Sequence, residues 1–260
     1  MTIKKPYDDI FDYTMFFLIG DVFNTILEEL KNDNKISMKF YQEIKNANSK
    51  DSFLFYDETK KDSANALDLQ YYICCFSQSG DSLPMWNYYS KSGNFEGYNI
   101  EFHRGFLASE RVRDRKILYN MSNVVYDRKE QEDVLRNILI KFNEFYLENV
   151  DIEYIKYVIK LLLSRLSLIF KNPCFEHEKE TRIIVSLPKE ETELFEIKYR
   201  VSNGCLIPYI ECVFDQNDMQ SITIGPLINQ DLAEKTLRSF LKHNGYRHDL
   251  INKSKVPIRF

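Results

Sequence analysis

Apolar residues recur at helical spacing over residues 8–31, where Phe11, Phe16, Ile19, Val22, Phe23, Ile26, Leu27 and Leu30 form one stripe. That pattern predicts an amphipathic helix. A shorter helix is expected over Ser37–Ala47, and a polar surface loop over 48–66. The pattern then changes. Tyr71–Phe76 is a continuous apolar run suited to a buried strand. Ser77–Ser82 is rich in turn residues, and Pro84 suits the first turn of a short helix that carries Trp86, with Met85, Tyr88 and Tyr89 beside it. Gly93 and Gly97 allow a tight return into Tyr98–Phe102, which is expected to continue the same sheet.

Ile117–Tyr126 reads as a further strand, followed by helices over about 128–148 and 151–170. Asp151 is a natural N-cap, and the short junction favours an antiparallel helical hairpin. The second of these helices is apolar nearly all round, which predicts deep packing, while Lys156, Lys160 and Arg165 exclude a membrane span. After Pro173 the period becomes two. Glu180–Leu187, Leu194–Val201, Ile207–Phe214 and Ser221–Ile224 are expected strands. A helix is expected over Gln230–His243, capped by Asn229 or Asp231 and closed by Gly245, with Val256–Phe260 as a final edge strand. Regular strand–helix alternation is missing, so the expected class is α+β, with a mixed, largely antiparallel sheet. One domain over 1–260 is expected, with a helical N-terminal segment and loop at 1–66 and the hairpin of 128–170 inserted between two parts of the sheet.

Composition narrows the picture. A chain of 260 residues with 44% hydrophobic and 28% charged residues can build a sizeable core. The net charge of −4 argues against an obligatory nucleic-acid partner, and the five basic residues of Arg104–Lys116 read as a solvated surface segment. The five cysteines include an adjacent pair inside an apolar strand and no CxxC, which points to reduced thiols in a cytoplasmic protein. The apolar run Tyr13–Ile19 is too short to cross a bilayer, and acidic residues surround it.

Phosphate-binding glycine loops, zinc-protease pairs and nucleophile elbows are absent from the sequence. Cys174 and His177 are two metal-ligand types without a second pair, so no metal is expected. What remains is Glu178, Glu180 and Arg182. On a strand these alternate residues share one face, with the carboxylates about 7 Å apart. Such a pair can divide acid and base roles, or can be the charged outer face of an edge strand. Trp86, Tyr88 and Tyr89 can stack on a flat ligand or anchor a short helix. Ser77 and Asp81 add a hydroxyl and a carboxylate to the loop.

Together these stretches resemble the bacterial domain-of-unknown-function family 2971. The likeness runs through Cys75-Phe76-Ser77, Asp81, Met85-Trp86, Tyr88 or Tyr89, Gly97 and Ile100–Phe102. It continues through Lys171, Phe175, Glu178, Glu180 and Arg182, then Pro208–Glu211, Ile224–Pro226 and Ser254–Arg259, and so spans roughly residues 71–260. At the N-terminus, Asp12-Tyr13-Thr14 is a faint echo of the family's first strand, and its Asn-Asp-Pro segment is missing. A more distant likeness is to ADP-ribosyltransferases, through a serine after a strand and a late Glu-x-Glu. That likeness implies NAD as substrate, Glu180 as the catalytic carboxylate and Glu178 orienting an acceptor that is protein or nucleic acid. It also implies contacts to NAD from Ser77, Trp86, Tyr89 and Arg182, and a role as a toxin or anti-phage effector. The alternative is a non-catalytic module that binds a nucleotide, nucleic acid or protein through the same aromatic cleft. The oligomeric state is open.

Overall fold

A computed structural model describes residues 2–4, 10–49, 69–90, 95–103, 105, 118–188, 196–202, 204–211, 214, 216–226 and 229–257. The chain begins with strand β1 (Thr2–Lys4) and helices α1 (Ile10–Asn32) and α2 (Met38–Ser49). Strand β2 (Leu69–Ser77), helix α3 (Leu83–Tyr89) and strands β3 (Tyr98–Phe102) and β4 (Leu118–Asn123) follow. Next come helices α4 (Arg128–Leu147) and α5 (Ile152–Ser167), a 3-10 helix (Pro173–Glu178) and strand β5 (Glu180–Pro188). The C-terminal part holds β6 (Lys198–Ser202), β7 (Cys205–Glu211), β8 (Met219–Ile224), α6 (Gln230–His243) and β9 (Ile251–Lys253). The fold is α+β, as its periodicities predict.

Four helices form one layer. Phe23, Ile26 and Leu30 of α1, Phe40 and Ile44 of α2, Leu135 and Leu139 of α4, and Ile155, Ile159 and Leu163 of α5 share an apolar core. Their three- and four-residue spacings place each set on one helix face. Asp127 caps α4 by accepting from the Glu130 amide, and Asp151 caps α5 by accepting from the Tyr154 amide. The nearly all-apolar α5 does pack deeply, with Ile155 and Ile159 fully buried. No helix among the described residues is long and apolar enough to cross a membrane.

The strands form two sheets. A six-stranded antiparallel sheet runs β4-β5-β2-β1-β7-β6, and a three-stranded sheet runs β3-β8-β9. Strand β3 therefore does not continue the sheet of β2, as its sequence proximity suggests; it pairs antiparallel with β8. The echo at Tyr13-Thr14 lies inside α1 rather than on a strand. Among the described residues the last strand is β9, paired parallel with β8, and Val256 and Pro257 lie beyond it. Residues 50–68, 91–94, 189–195 and 258–260 are outside the described set, and with them most of the expected 48–66 loop, Gly93 and most of the expected final strand.

Period-two alternation sorts β5 onto two faces. Ile183, Val185 and Leu187 pack with Tyr72 and Ile210 on one side. Ile184 joins Ile73 and Leu168 on the side that receives the end of α5. The small sheet docks on the first side through aromatic edges: Phe102 meets Phe76 at 6.2 Å and Phe214 at 4.8 Å between ring centroids. Gly225 closes the end of the small sheet's β3–β8 pair against α3, its amide donating to Gly97 O at 2.9 Å. A Cβ at Gly225 would lie 2.5 Å from Phe95 O and 3.3 Å from Trp86 Cε3. Backbone on one side leaves no flexible group to move. Gly225→Ala is expected to cost about 1–3 kcal/mol of unfolding free energy, read as a lower urea midpoint at unchanged slope; native stability in this variant would show that the junction yields.

Candidate functional site

The sequence from Lys171 to Arg182 folds as a turn into a strand. Asn172 caps the 3-10 helix by accepting from the Cys174 amide at 3.0 Å. Lys179 then takes a left-handed conformation, φ 46°, which reverses the chain so that β5 starts at Glu180. Glu178 thus sits before the strand, not on it as simple alternation predicts. Ser77 Oγ donates to Glu178 O at 2.8 Å and accepts from the Ser79 amide. The Gln78 amide donates to Lys179 O at 2.9 Å, which fastens the turn to the end of β2.

Strand β5 lies between β2 and β4, so the charged residues are not the outer face of an edge. Glu178 and Glu180 are each 5% exposed and Arg182 is 2% exposed. Burying unpaired charge is costly, and here every charge is matched. Arg182 Nε and Nη2 approach Glu180 Oε2 at 3.0 and 2.9 Å, and Arg182 Nη1 donates to Leu168 O at 2.7 Å. Lys171 Nζ reaches Glu178 Oε2 at 2.6 Å and Glu180 Oε2 at 3.5 Å, and lies 4.9 Å from the centre of the Phe175 ring. The Tyr126 hydroxyl accepts from the Glu180 amide at 3.0 Å. Burial pushes the Tyr126 phenol up to about 12, with Glu180 and Glu178 adding to the rise. Buried Gln131 donates to Lys171 O and Val125 O, tying the cluster to α4.

A cleft of ≈ 320 Å³ opens beside this cluster. Its wall includes Cys75 and Ser77 of β2, Trp86 and Tyr89 of α3, Ile100 of β3 and Glu180 of β5. Four of the residues singled out from the sequence, Glu180, Ser77, Trp86 and Tyr89, therefore line one cavity. Two do not line it: Glu178 and Arg182 lie behind Glu180, and each reaches the cleft only through neighbours. Among the described residues the hydrogen bonds to the Glu180 carboxylate and the closest approach of each cation fall on Oε2. Glu96 and Glu180 are the charged side chains of the described wall, which holds no Lys or Arg.

Asp81 organises the opposite side. It accepts from Trp86 Nε1 at 2.7 Å, Ser254 Oγ at 2.6 Å and the Lys255 amide at 2.8 Å. Trp86 is thereby buried and its indole fixed, while Tyr89 remains 66% exposed. Partial desolvation pushes the Asp81 carboxyl up, but these hydrogen bonds outweigh it and leave the carboxyl below its ordinary range. Ser254 and Lys255 come from the far end of the chain. Their pairing with Asp81 had a sequence signal only in the shared likeness of both segments to one family. His177 stacks on Tyr88 at 5.4 Å, joining the 3-10 helix to α3. Cys174 is exposed nearby, and no group of three or more His, Cys, Asp or Glu among the described residues is placed to hold a metal ion.

Residues 85–183 match the model of one family, described as Protein of unknown function (DUF2971). The match contains α3 from Met85 onward, the helical hairpin and the whole Lys171–Arg182 cluster. It is shorter than the likeness seen in the motifs, which begins at Cys75 and runs past Ser254. Neither the curated proteins nor the solved structures include a match to this chain.

Two predictions test the site's construction. Arg182→Met leaves Glu180 buried without its fork and is expected to destabilise by about 3–5 kcal/mol. The double variant Glu180→Gln/Arg182→Met should recover part of that loss in chemical denaturation. Additive losses would show that the two side chains act separately. For Asp81, a lowered carboxyl pKa means stabilisation that is complete above the ordinary aspartate value and fades as pH falls through the lower folded value. Asp81→Asn should therefore be less stable than the native protein at neutral pH and converge on it in acid. A gap that stays constant across a series of acidic urea titrations would contradict this.

Proposed function

We propose that the cleft binds a nucleotide-type small molecule through its flat ring. The ligand we infer is NAD, cleaved at its nicotinamide–ribose bond. The supporting observation is that Glu180, although buried in an interior strand, lines the same cleft as Trp86 and Tyr89, with its cations gathered on Oε2. Oε1 is then the oxygen offered to a ligand.

In this reading the cationic nicotinamide ring lies against Trp86 and Tyr89, favoured by the ring faces and by the acidic wall. The C–N bond breaks with its electron pair leaving on nicotinamide, which departs neutral. The ribose C1 becomes oxocarbenium-like, and Glu180 opposes the developing positive charge. Water or an acceptor nucleophile then forms the new bond at C1. Arg182 and Lys171 hold Glu180 in place, and are positioning residues. Ser77 has its hydroxyl engaged with Glu178 O and the Ser79 amide, so its part is to hold the turn that presents Glu180. Glu178, engaged by Lys171, supports Glu180 from behind rather than orienting an acceptor. An NAD-consuming activity of this kind suits a toxin or an anti-phage effector.

A second reading is binding without turnover. It is favoured by charge balance: Lys171 and Arg182 neutralise Glu178 and Glu180, which weakens the negative field available to a cationic transition state. Nicotinamide release from NAD, with and without cell lysate, separates the two. Release by the native protein that falls by about a hundredfold or more in folded Glu180→Gln supports cleavage. Calorimetric NAD binding without release supports the second reading, and neither binding nor release refutes NAD as the ligand.

A further inference from the structure

A second cavity, of ≈ 250 Å³, lies on the helix-facing side of the six-stranded sheet and shares no lining residue with the aromatic cleft. Its wall joins Tyr71 of β2, Asn120 and Ser122 of β4, Ser186 of β5, and Arg165 near the end of α5. This is the sheet face on which Ile73, Ile184 and Leu168 pack. Beside them, register places Leu118 and Tyr71 opposite Ser186, and Asn120 opposite Ile184. Polar residues thus stand where helix-on-sheet packing calls for apolar ones.

Those polar groups are unspent. Among the described residues the side chains of Asn120, Ser122 and Ser186 make no hydrogen bond, and Arg165 makes no ion pair. The Arg165 guanidinium lies close enough to the Tyr71 phenol to act on it electrostatically. Burial pushes the Tyr71 phenol above its ordinary value even with Arg165 beside it, so the phenol keeps its proton. No Asp or Glu lines the described wall. The carbonyls at the end of α5, which would repel an anion, are occupied: Arg165 O and Leu166 O accept from following amides, and Leu168 O accepts from Arg182 Nη1.

We propose that this cavity is a binding site for a small oxyanion of the phosphate class, held by the Arg165 guanidinium and by hydrogen bonds from Ser122, Ser186 and Asn120. A guanidinium without a carboxylate partner, facing donors that have no other acceptor, is the arrangement that recognises a tetrahedral oxyanion. The ligand is either the free ion or the phosphate end of a larger monoester.

Calorimetric titration of the full chain at low ionic strength tests the site, with inorganic phosphate as one probe and glycerol phosphate as the other. Saturable phosphate binding that Arg165→Gln weakens by about tenfold or more, and that Ser122→Ala weakens less, is the expected result. Arg165→Lys should recover part of it through charge alone. Tighter binding of glycerol phosphate, lost in the same variants, identifies a monoester. Arg165 is exposed and outside the helical core, so its variants keep the fold. Failure of both probes to bind, or binding that Arg165→Gln leaves unchanged, overturns the proposal. Neither probe involves NAD or Glu180, so this result stands apart from the outcome at the aromatic cleft.

Discussion

A carboxylate and a guanidinium share the interior of an antiparallel sheet at Glu180 and Arg182, and much of the molecule is arranged to make that tolerable. Removing two such ions from water costs several kcal/mol each, recovered only with close geometry and satisfied lone pairs. The chain supplies both. Arg182 spends its fork on Glu180 and its remaining arm on Leu168 O, the carbonyl that ends α5. Lys171 adds a second cation, and Glu178 neutralises it. The position of α5 against the sheet is therefore tied to the same ion pair that approaches the cleft.

The second constraint is Asp81. One carboxylate accepts from an indole, a hydroxyl and a backbone amide, drawn from α3 and from the segment after β9. Residues 173 and 174 positions apart in sequence are joined there. The small sheet is fastened close by, where Ser254 N donates to Ile224 O and Gly225 admits the backbone of Gly97. The cleft exists because these two charge-centred junctions hold its opposite walls: Glu180 on the side of the large sheet, Trp86 on the side of the small one.

Helices and strands were legible because their periods are local. The stripe of α1, the cap Asp151 and the alternation of β5 need only neighbouring residues. Pairing was less legible. Strand β3 follows β2 closely, yet its partner is β8, more than a hundred residues on, joined by contacts such as Ser221 Oγ to Glu101 and Gly225 to Gly97 that no local period reveals. The Glu178–Glu180 spacing looked like strand alternation because period two cannot show that Lys179 is left-handed. Burial of the charges was hidden for a related reason. An edge strand and an interior strand with a paired ion cluster have the same charge pattern, and the partner lysine is nine positions upstream of Glu180, in the loop before the 3-10 helix.

Stability alone is a weak reason for this cluster. A buried ion pair replaced by well-packed apolar residues is often neutral or stabilising, so a fold under selection for stability gains little from Glu180 and Arg182. The same holds for the strained Lys179 turn, since backbone in a sparsely populated region persists where the surroundings over-determine it, and such turns gather at functional sites. Here both features act on one atom group. The turn starts the strand at Glu180, and the cations gather at its Oε2 while the residue lines the cleft. An edge-facing charge would be solvated and free to rotate; this one is fixed. Buried cost, backbone strain and a cleft beside the same carboxylate are three independent departures from the simplest stable sheet, and a ligand that meets Glu180 is the reading that accounts for all three.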